Sequence, residues 1–280
     1  MNIKYTKDKL FCKTTNLHIH SNYSDGIFSV KELVKKCKKA GLTFVALTDH
    51  DNIDGQKEFL SFANKTGLNA FSGVELEGMY KKMQIHILGY DFDFKNKKIV
   101  DLCNKYKNFR KKYGENTLTK INKQLKLENK KFDLNAKELK KLYGNITMSV
   151  DIVNYLVLKK VAKNSDEGWQ KYVLPNRVKL EVSAIEILNV IKKCGGFSIL
   201  AHPGHKSLSF TKYGISIKGQ EKLIGELKKF GLNGIEVYGT KHTKKQVKDY
   251  LGITNKLGLL VTRGTDFHSN EKGHNVLISE

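Results

Sequence analysis

The sequence lacks the features that would assign its 280 residues to a membrane or secreted class. No stretch approaches the roughly 18 unbroken apolar residues that a membrane span needs. The start, MNIKYTKDKLF, has no apolar run before a small-residue cleavage site. The four cysteines are scattered, with no C-x-x-C spacing. We therefore predict a cytoplasmic protein with reduced thiols and no membrane association.

Arginine is also scarce, since it supplies only three of the 50 basic residues. With 28 acidic residues, the formal charge is +22 at pH 7, which suggests a nucleic-acid partner. A surface selected to bind phosphates would more often use arginine, because its planar guanidinium binds them bidentately. The excess of lysine and asparagine is typical of codon bias instead. At 40% hydrophobic residues, the chain should fold around a core.

Short β-branched or aromatic runs alternate with amphipathic stretches over residues 16–90. This alternation predicts parallel strands joined by crossover helices. Two S-x-x-E capping boxes, at Ser29 with Glu32 and at Ser183 with Glu186, predict the starts of two helices.

A lysine-rich segment interrupts the alternation. Over residues 95–141, 16 basic residues stand against five acidic ones, and the apolar periodicity is helical. Strand signals return near the C-terminal third of the chain. We therefore predict a discontinuous, barrel-like α/β domain over residues 1–95 and 184–280, with a helical insertion subdomain over residues 96–183.

Histidines are the most informative residues of the chain. Seven of the nine lie at predicted strand ends or beside acidic residues. In a barrel of parallel strands, the carboxyl ends of the strands converge on one face, where active sites lie. The acidic residues Asp25, Asp49, Glu75 and Asp266 fall at the same ends. The seven histidines are His18, His20, His50, His86, His202, His205 and His268.

The H-x-H pair of His18 and His20 has a geometric consequence. Alternate side chains of a strand point to the same side, so both imidazoles can hold one metal ion. Imidazole and carboxylate ligands together suit zinc, manganese or iron. A cluster that contains this many imidazoles and carboxylates needs several cations to organise it. A single histidine such as His86 is more often a hydrogen-bonded core residue, but the joint pattern favours a metal site. His242 and His274 fit no acid-rich strand end and are predicted to lie at the surface.

The motifs occur in the order H-x-H, S-D-G, T-D-H-D, G-x-E, I-H-I-L-G-Y, A-H-P and G-x-D-x-H. In this order they resemble the PHP (polymerase and histidinol phosphatase) family of phosphoesterases over nearly the whole chain. The insertion is similar in length to that of the stand-alone nucleotide phosphatase and small-RNA exonuclease branch. The resemblance implies a distorted (β/α)7 barrel with three divalent metal ions. The metal ligands that it implies are His18, His20, Asp25, His50, Glu75, His86, His202, Asp266 and His268.

The resemblance also implies how these ligands divide among the metals, with Glu75 shared by two of them. The first metal is held by His18, His20, Glu75 and Asp266. The second is held by Glu75, His86 and His202. The third is held by Asp25, His50 and His268. We expect the catalytic residues to be His18, His20, Glu75, His202 and Asp266.

Phosphate ester hydrolysis at such a cluster needs no side-chain base, because the metals acidify a water molecule and stabilise the phosphoryl oxygens. Asp49 lies outside the implied ligand set. We expect it either to orient a histidine or to stand at the start of the next helix.

Two arginines that are common in the nucleotide phosphatase branch are missing. The R-P-H segment of the insertion is replaced by ITMS, and the arginine after A-H-P-G is replaced by histidine. We expect His205, Lys206 or a lysine of the insertion to bind the substrate phosphate in their place, as point charges with poorer geometric selectivity. Tyr106, Phe109 and Tyr113 are interleaved with the insertion lysines. They either stack on bases or pack inward beneath a solvated lysine face.

We therefore predict a metal-dependent hydrolase of phosphate esters. The expected substrate is a nucleotide of the nucleoside bisphosphate type or a short 5′-phosphorylated RNA, and no obligate protein partner is expected. One alternative is a histidinol phosphatase, which would not release phosphate from nucleotides. Another is a non-catalytic, basic nucleic-acid-binding module, whose RNA affinity would fall steeply with salt.

Overall fold

The computed structural model divides the chain into two compact units. The sheet unit comprises Met1–Cys103 and Glu181–Glu280, and the helical unit comprises Asn104–Leu180. The residues that the structure describes are 7–132, 134–144, 147–178, 182–206, 209–269 and 277.

Eight strands of the sheet unit form two sheets. The first sheet is parallel, in the order β1 (Thr15–Ile19), β2 (Phe44–Leu47) and β3 (Asn69–Phe71). The second has the order β4 (Gly73–Tyr80), β5 (Met83–Tyr90), β6 (Phe197–Leu200), β7 (Gly234–Tyr238) and β8 (Leu260–Arg263). Strand β5 is antiparallel to both β4 and β6, whereas β6, β7 and β8 are parallel.

Helices connect these strands and form the helical unit. A 3-10 turn spans Lys7–Leu10. The α-helices are α1 (Val30–Lys39), α2 (Gln56–Lys65), α3 (Lys97–Leu127), α4 (Ala136–Tyr143), α5 (Ser149–Leu158), α6 (Ser165–Glu167), α7 (Leu174–Asn176), α8 (Ala184–Lys193), α9 (Ser209–Lys212), α10 (Ile217–Lys229) and α11 (Lys244–Leu257). A π-helical segment, Gly168–Val173, lies between α6 and α7. Each helix of the described ranges is too short or too polar to cross a membrane.

Helix α1 begins at the predicted capping box. Ser29 accepts a hydrogen bond from the backbone of Glu32, and the Glu32 carboxylate accepts one from the backbone of Ser29. Its buried face, with Leu33 and Val34, packs in the same apolar cluster as strands β1 and β2. The predicted start of α1 is therefore confirmed.

Strands β4 and β5 form a hairpin, which contradicts the prediction of parallel strands throughout residues 16–90. Only Lys81 and Lys82 separate the two strands, and both adopt positive φ, of 47° and 65°. Two consecutive residues in this conformation match the right-handed twist of a hairpin. The turn lacks the Asn-Gly signature that usually marks it, so the sequence pattern did not reveal it.

The closed (β/α)7 barrel is not confirmed, because the strands form two separate sheets. Strand β4 pairs with β5, and the three-residue strand β3 lies at the edge of the first sheet. Isolated parallel bridges link Ile19 with Phe267 and His50 with Glu75. The fold is mixed α/β, and these bridges bring the ends of the two sheets together around the predicted ligands.

The insertion aromatics pack inward. Tyr106 and Tyr113 are each 2% exposed, and Phe109 is partly buried against the apolar cluster of the helical unit. Base stacking by the two tyrosines is therefore contradicted, because a ring must present an open face to stack on a base.

Candidate metal centre

Glu75 lies at the hub of a buried cluster in the sheet unit. It belongs to β4 and is fully buried. Its two carboxylate oxygens contact five imidazoles at once. Oε2 lies 3.1 Å from His18 Nε2, 3.4 Å from His20 Nε2 and 3.1 Å from His50 Nδ1. Oε1 lies 2.8 Å from His86 Nδ1 and 2.9 Å from His202 Nε2.

Strand geometry places the first two histidines. His18 lies in β1 and His20 directly follows it, so both rings emerge on one side, with centroids 5.1 Å apart. His18 is the penultimate residue of β1, as expected of a strand end, whereas Glu75 and His86 lie within β4 and β5, which differs from the prediction. His50 and His202 lie just after β2 and β6, in loops.

Asp25 brings the loop after β1 into the cluster. Its Oδ1 lies 3.1 Å from His268 Nε2 and 3.9 Å from His20 Nδ1, and its Oδ2 lies 3.7 Å from His50 Nε2. One carboxylate thus approaches three imidazoles from three different segments of the chain.

Asp266 closes the cluster from the loop after β8. Its Oδ1 lies 3.3 Å from His20 Nε2, 3.4 Å from His18 Nε2 and 3.6 Å from His268 Nδ1. Asp266 and His202 both have positive φ, of 54° and 25°. Non-glycine residues in such regions cost about 1–3 kcal/mol each, and this strain concentrates at functional sites.

The charges of the cluster are strongly coupled. Burial opposes ionisation of Glu75, but His50, His18 and other histidines hold the pKa of this carboxyl well below its ordinary value. Burial, with the nearby His268, lowers the pKa of His20 to about 3. Burial opposes protonation of His268, yet the carboxylates of Asp25 and Asp266 raise its pKa to about 10. The cluster therefore contains both neutral and protonated imidazoles when no cation is bound.

Several imidazole nitrogens of this cluster make no hydrogen bond and are suited to bind divalent metals. Among the described residues, Nδ1 of His20 and Nδ1 of His202 are buried without a hydrogen-bond partner. His20 Nε2 is also buried, and its contacts of 3.3 Å with Asp266 and 3.4 Å with Glu75 lack the geometry of a hydrogen bond. Leaving a buried polar atom unsatisfied costs about 1–3 kcal/mol, and a metal ion would use the lone pair of a neutral imidazole. Imidazole and carboxylate donors together suit zinc, manganese or iron.

Within the described ranges, three groups of side chains have ligand atoms close enough to hold a metal ion. They are His18, His20, Glu75 and Asp266; His20, Asp25, His50 and His268; and His50, Glu75 and His86. The first group has the membership that the resemblance implies for one metal. The second adds His20 to the implied set. In the third, His50 stands where the resemblance places His202, which contacts Glu75 without joining the group.

The two predicted substrate-binding residues differ in their position. The His205 ring lies 6.0 Å from the His202 ring, beside the cluster. Lys206 is exposed. Their contact with a substrate phosphate stays a prediction.

The surface prediction for His242 is wrong, and His274 lies outside the described residues. His242 Nδ1 donates to the Val237 carbonyl at 2.9 Å, and its Nε2 accepts from the Gly204 backbone at 3.0 Å. It therefore holds the loop that carries His205. Its neutral form suits this dual role, because burial lowers its pKa.

Asp49 does neither of the two things that were expected of it. Its carboxylate accepts from the backbone and the hydroxyl group of Ser21, both at 2.7 Å, and from the Ser24 hydroxyl at 2.8 Å. It thereby fixes the loop that leads to Asp25. Burial raises the pKa of Asp49 to about 7.

Glu236 is a buried acid next to the cluster that the sequence pattern did not single out. Its Oε2 lies 2.6 Å from His18 Nδ1. A charged residue inside the otherwise apolar strand GIEVY was the signal that could have identified it.

Comparisons with known proteins find relatives over most of the chain. The family model of the PHP domain matches residues 16–187. A 5′-3′ exoribonuclease of Haemophilus influenzae is 30% identical over 260 residues, which are 91% of this chain and 90% of that protein. A 3′,5′-nucleoside bisphosphate phosphatase of Chromobacterium violaceum is 25% identical over 271 residues, covering 92% and 88%.

A solved structure supports the fold. The crystal structure of a protein from Bifidobacterium adolescentis, described as a metal-dependent phosphoesterase, superposes with a TM-score of 0.78. The match covers 95% of this chain and 92% of that one, at 22% identity. Together with the family match, which spans more than half of the sequence, these findings establish that the chain belongs to the PHP domain family.

Proposed function

We propose that the protein is a metal-dependent phosphoesterase that hydrolyses nucleotides or short 5′-phosphorylated RNA. The observation that carries the proposal is the convergence of six histidines and three carboxylates, with Glu75 among them, in one cluster. Relatives named as an exoribonuclease and as a nucleoside bisphosphate phosphatase support the substrate class. Four free cysteines are consistent with the cytoplasmic location that we propose.

We further propose that the cluster holds three divalent ions, of manganese, iron or zinc. When bound, such ions acidify a water molecule and stabilise negative charge on phosphoryl oxygens. The chain itself supplies three carboxylates whose negative charges offset the cations. Its buried histidines supply neutral donors on rigid strands and short loops. The nine residues proposed to hold the ions are His18, His20, Asp25, His50, Glu75, His86, His202, Asp266 and His268.

The proposed substrate contacts use different donors from the arginines that the resemblance implies. His205 and Lys206 follow His202 and would meet a phosphate as single donors or point charges, without the forked geometry of arginine. We therefore expect lower selectivity between phosphate esters than a bidentate site would have.

A panel of phosphate esters tests the function. Phosphate release is measured from a nucleoside 3′,5′-bisphosphate, from histidinol phosphate and from a 5′-phosphorylated oligoribonucleotide, each with manganese, zinc or magnesium. We expect turnover of the bisphosphate or the oligoribonucleotide. Turnover of histidinol phosphate alone would identify the alternative phosphatase, and RNA affinity without any turnover would contradict an enzyme.

A further inference from the structure

Glu236 lies behind His18, on the side away from the cluster. It belongs to β7 and is 1% exposed, and its Oε2 lies 2.6 Å from His18 Nδ1. The other ring nitrogen of His18, Nε2, lies 3.1 Å from Glu75 and 3.4 Å from Asp266. The imidazole thus spans the space between Glu236 and the candidate ligands.

The surrounding backbone leaves room for this pair. A Cβ atom at Gly264 would lie 2.3 Å from His18 Cβ and 3.3 Å from Glu236 Cδ. A Cβ atom at Gly239 would lie 3.0 Å from Glu236 Oε1. Any side chain at Gly264 would therefore displace the pair, and one at Gly239 would press on the carboxylate.

The chemistry of the contact determines the state of His18. An ionised carboxylate only accepts hydrogen bonds, so His18 Nδ1 must carry the hydrogen and donate it to Glu236. In a neutral imidazole, Nε2 then keeps its lone pair, and this lone pair faces the cluster. A carboxylate behind a metal-binding histidine also raises its basicity and fixes the orientation of its ring.

We propose that Glu236 is a positioning residue that increases the metal affinity of the cluster by acting through His18. Glu236 holds the His18 ring with Nε2 toward the metal. Its negative charge makes Nε2 a stronger electron-pair donor to that metal. This inference rests on the proposed function in one respect, namely that the cluster binds divalent metal.

Metal affinity of the Glu236→Gln variant tests the inference. Glutamine keeps the shape of the side chain but removes its charge, so we expect manganese and zinc to bind roughly 10- to 100-fold more weakly in chelator competition. The metal-free variant should retain the circular dichroism of the parent. The matched control is Glu226→Gln, on helix α10. It removes a carboxylate that accepts hydrogen bonds from Tyr80 and Lys81, and this variant should bind metal like the parent.

A double-mutant cycle separates positioning from a merely structural role. In a His18→Ala background, Glu236→Gln should weaken metal binding no further, because the residue through which it acts is gone. Equal weakening in both backgrounds would overturn the proposal. If Glu236→Gln fails to fold, Gly239→Ala presses on the carboxylate without removing it and should also weaken metal binding.

The outcomes distinguish this inference from the function on which it rests. A parent protein that binds no divalent metal would overturn both. A parent that binds metal with an affinity that neither Glu236→Gln nor Gly239→Ala changes would overturn only the role of Glu236.

Discussion

At the scale of single residues, one carboxylate links most of the candidate centre. Glu75 contacts five histidines, and Asp25 and Asp266 join the remaining ring to them. Because these buried groups interact electrostatically with one another, the loss of a single member should affect the whole cluster.

The first prediction concerns the ligands themselves. His18→Ala or Asp266→Ala should lower the rate of phosphate release by at least about 100-fold, because each removes a donor from the proposed metal site. Circular dichroism should report an intact fold. The matched control, Asp249→Ala, removes a surface carboxylate paired with Lys245 and should retain activity. Parental activity in either ligand variant would contradict the site assignment.

The second prediction concerns the reactivity of the thiols. Partial burial opposes ionisation of Cys12, but contacts with the Thr14 and Thr15 hydroxyl groups outweigh it and lower its pKa. Burial raises the pKa of Cys37 to about 12. Since the thiolate is the reactive form, Cys12 should be alkylated at a lower pH than an ordinary cysteine, of pKa about 8.5.

Mass spectrometry of iodoacetamide-treated native protein, followed over about pH 6 to 9, measures this difference. Labelling of Cys12 should rise with an apparent pKa below that of free cysteine, while Cys37 stays unlabelled. Labelling of both residues at equal rates would contradict the prediction, and Cys12→Ser is the control for the assignment of the labelled peptide.

At the scale of elements, the β4–β5 hairpin departs most from the pattern of the sequence. Alternation of apolar residues indicates strands, but it carries no information on which strand lies next to another or in which direction it runs. Here a two-residue turn of lysines reverses the chain, and the hairpin places Glu75 and His86 on neighbouring strands.

The third prediction follows from that turn. Lys82 has φ of 65°, a conformation that costs a non-glycine residue about 1–2 kcal/mol. Glycine removes this cost but loses more conformational entropy on folding, which offsets part of the gain. Lys82→Gly should therefore stabilise the protein by roughly 0.5–1 kcal/mol, measured by chemical denaturation. Lys35→Gly, in the interior of helix α1, should destabilise it by about 1 kcal/mol. Destabilisation by Lys82→Gly would contradict the role assigned to the turn.

At the scale of the whole molecule, positive charge is concentrated in the helical unit. Residues 104–180 contain 19 basic and seven acidic residues. Tyr106 and Tyr113 are buried and cannot stack on bases, so the charge of the lysines is what this unit offers to an anionic substrate.

The fourth prediction tests that field. Changing the exposed residues Lys111, Lys112 and Lys120 to Gln should raise KM for an oligoribonucleotide roughly 3- to 10-fold at low salt, and less at high salt, because salt screens the attraction. The charge-matched control replaces three exposed lysines of α1, namely Lys31, Lys35 and Lys38. Equal effects of the two triple variants, or no dependence on salt, would indicate a merely solvated lysine surface.

Features that depend on neighbours along the chain could be predicted from the amino-acid order alone. The start of α1 follows from Ser29 and Glu32, three residues apart, and the common side of His18 and His20 follows from the period of a strand. The order of the short motifs was sufficient to indicate the family, because each motif is local.

Contacts between distant groups could not be predicted in this way, because they depend on how the elements pack. The contact between His18 and Glu236 joins residues 218 positions apart. The hydrogen bonds of Asp49 with Ser21 and Ser24, the burial of Tyr106 and the separation of the two sheets are likewise decided by packing. Local periodicity determines which side of an element is apolar. Which other element packs against that apolar side depends on the free energy of the whole fold, to which every element contributes.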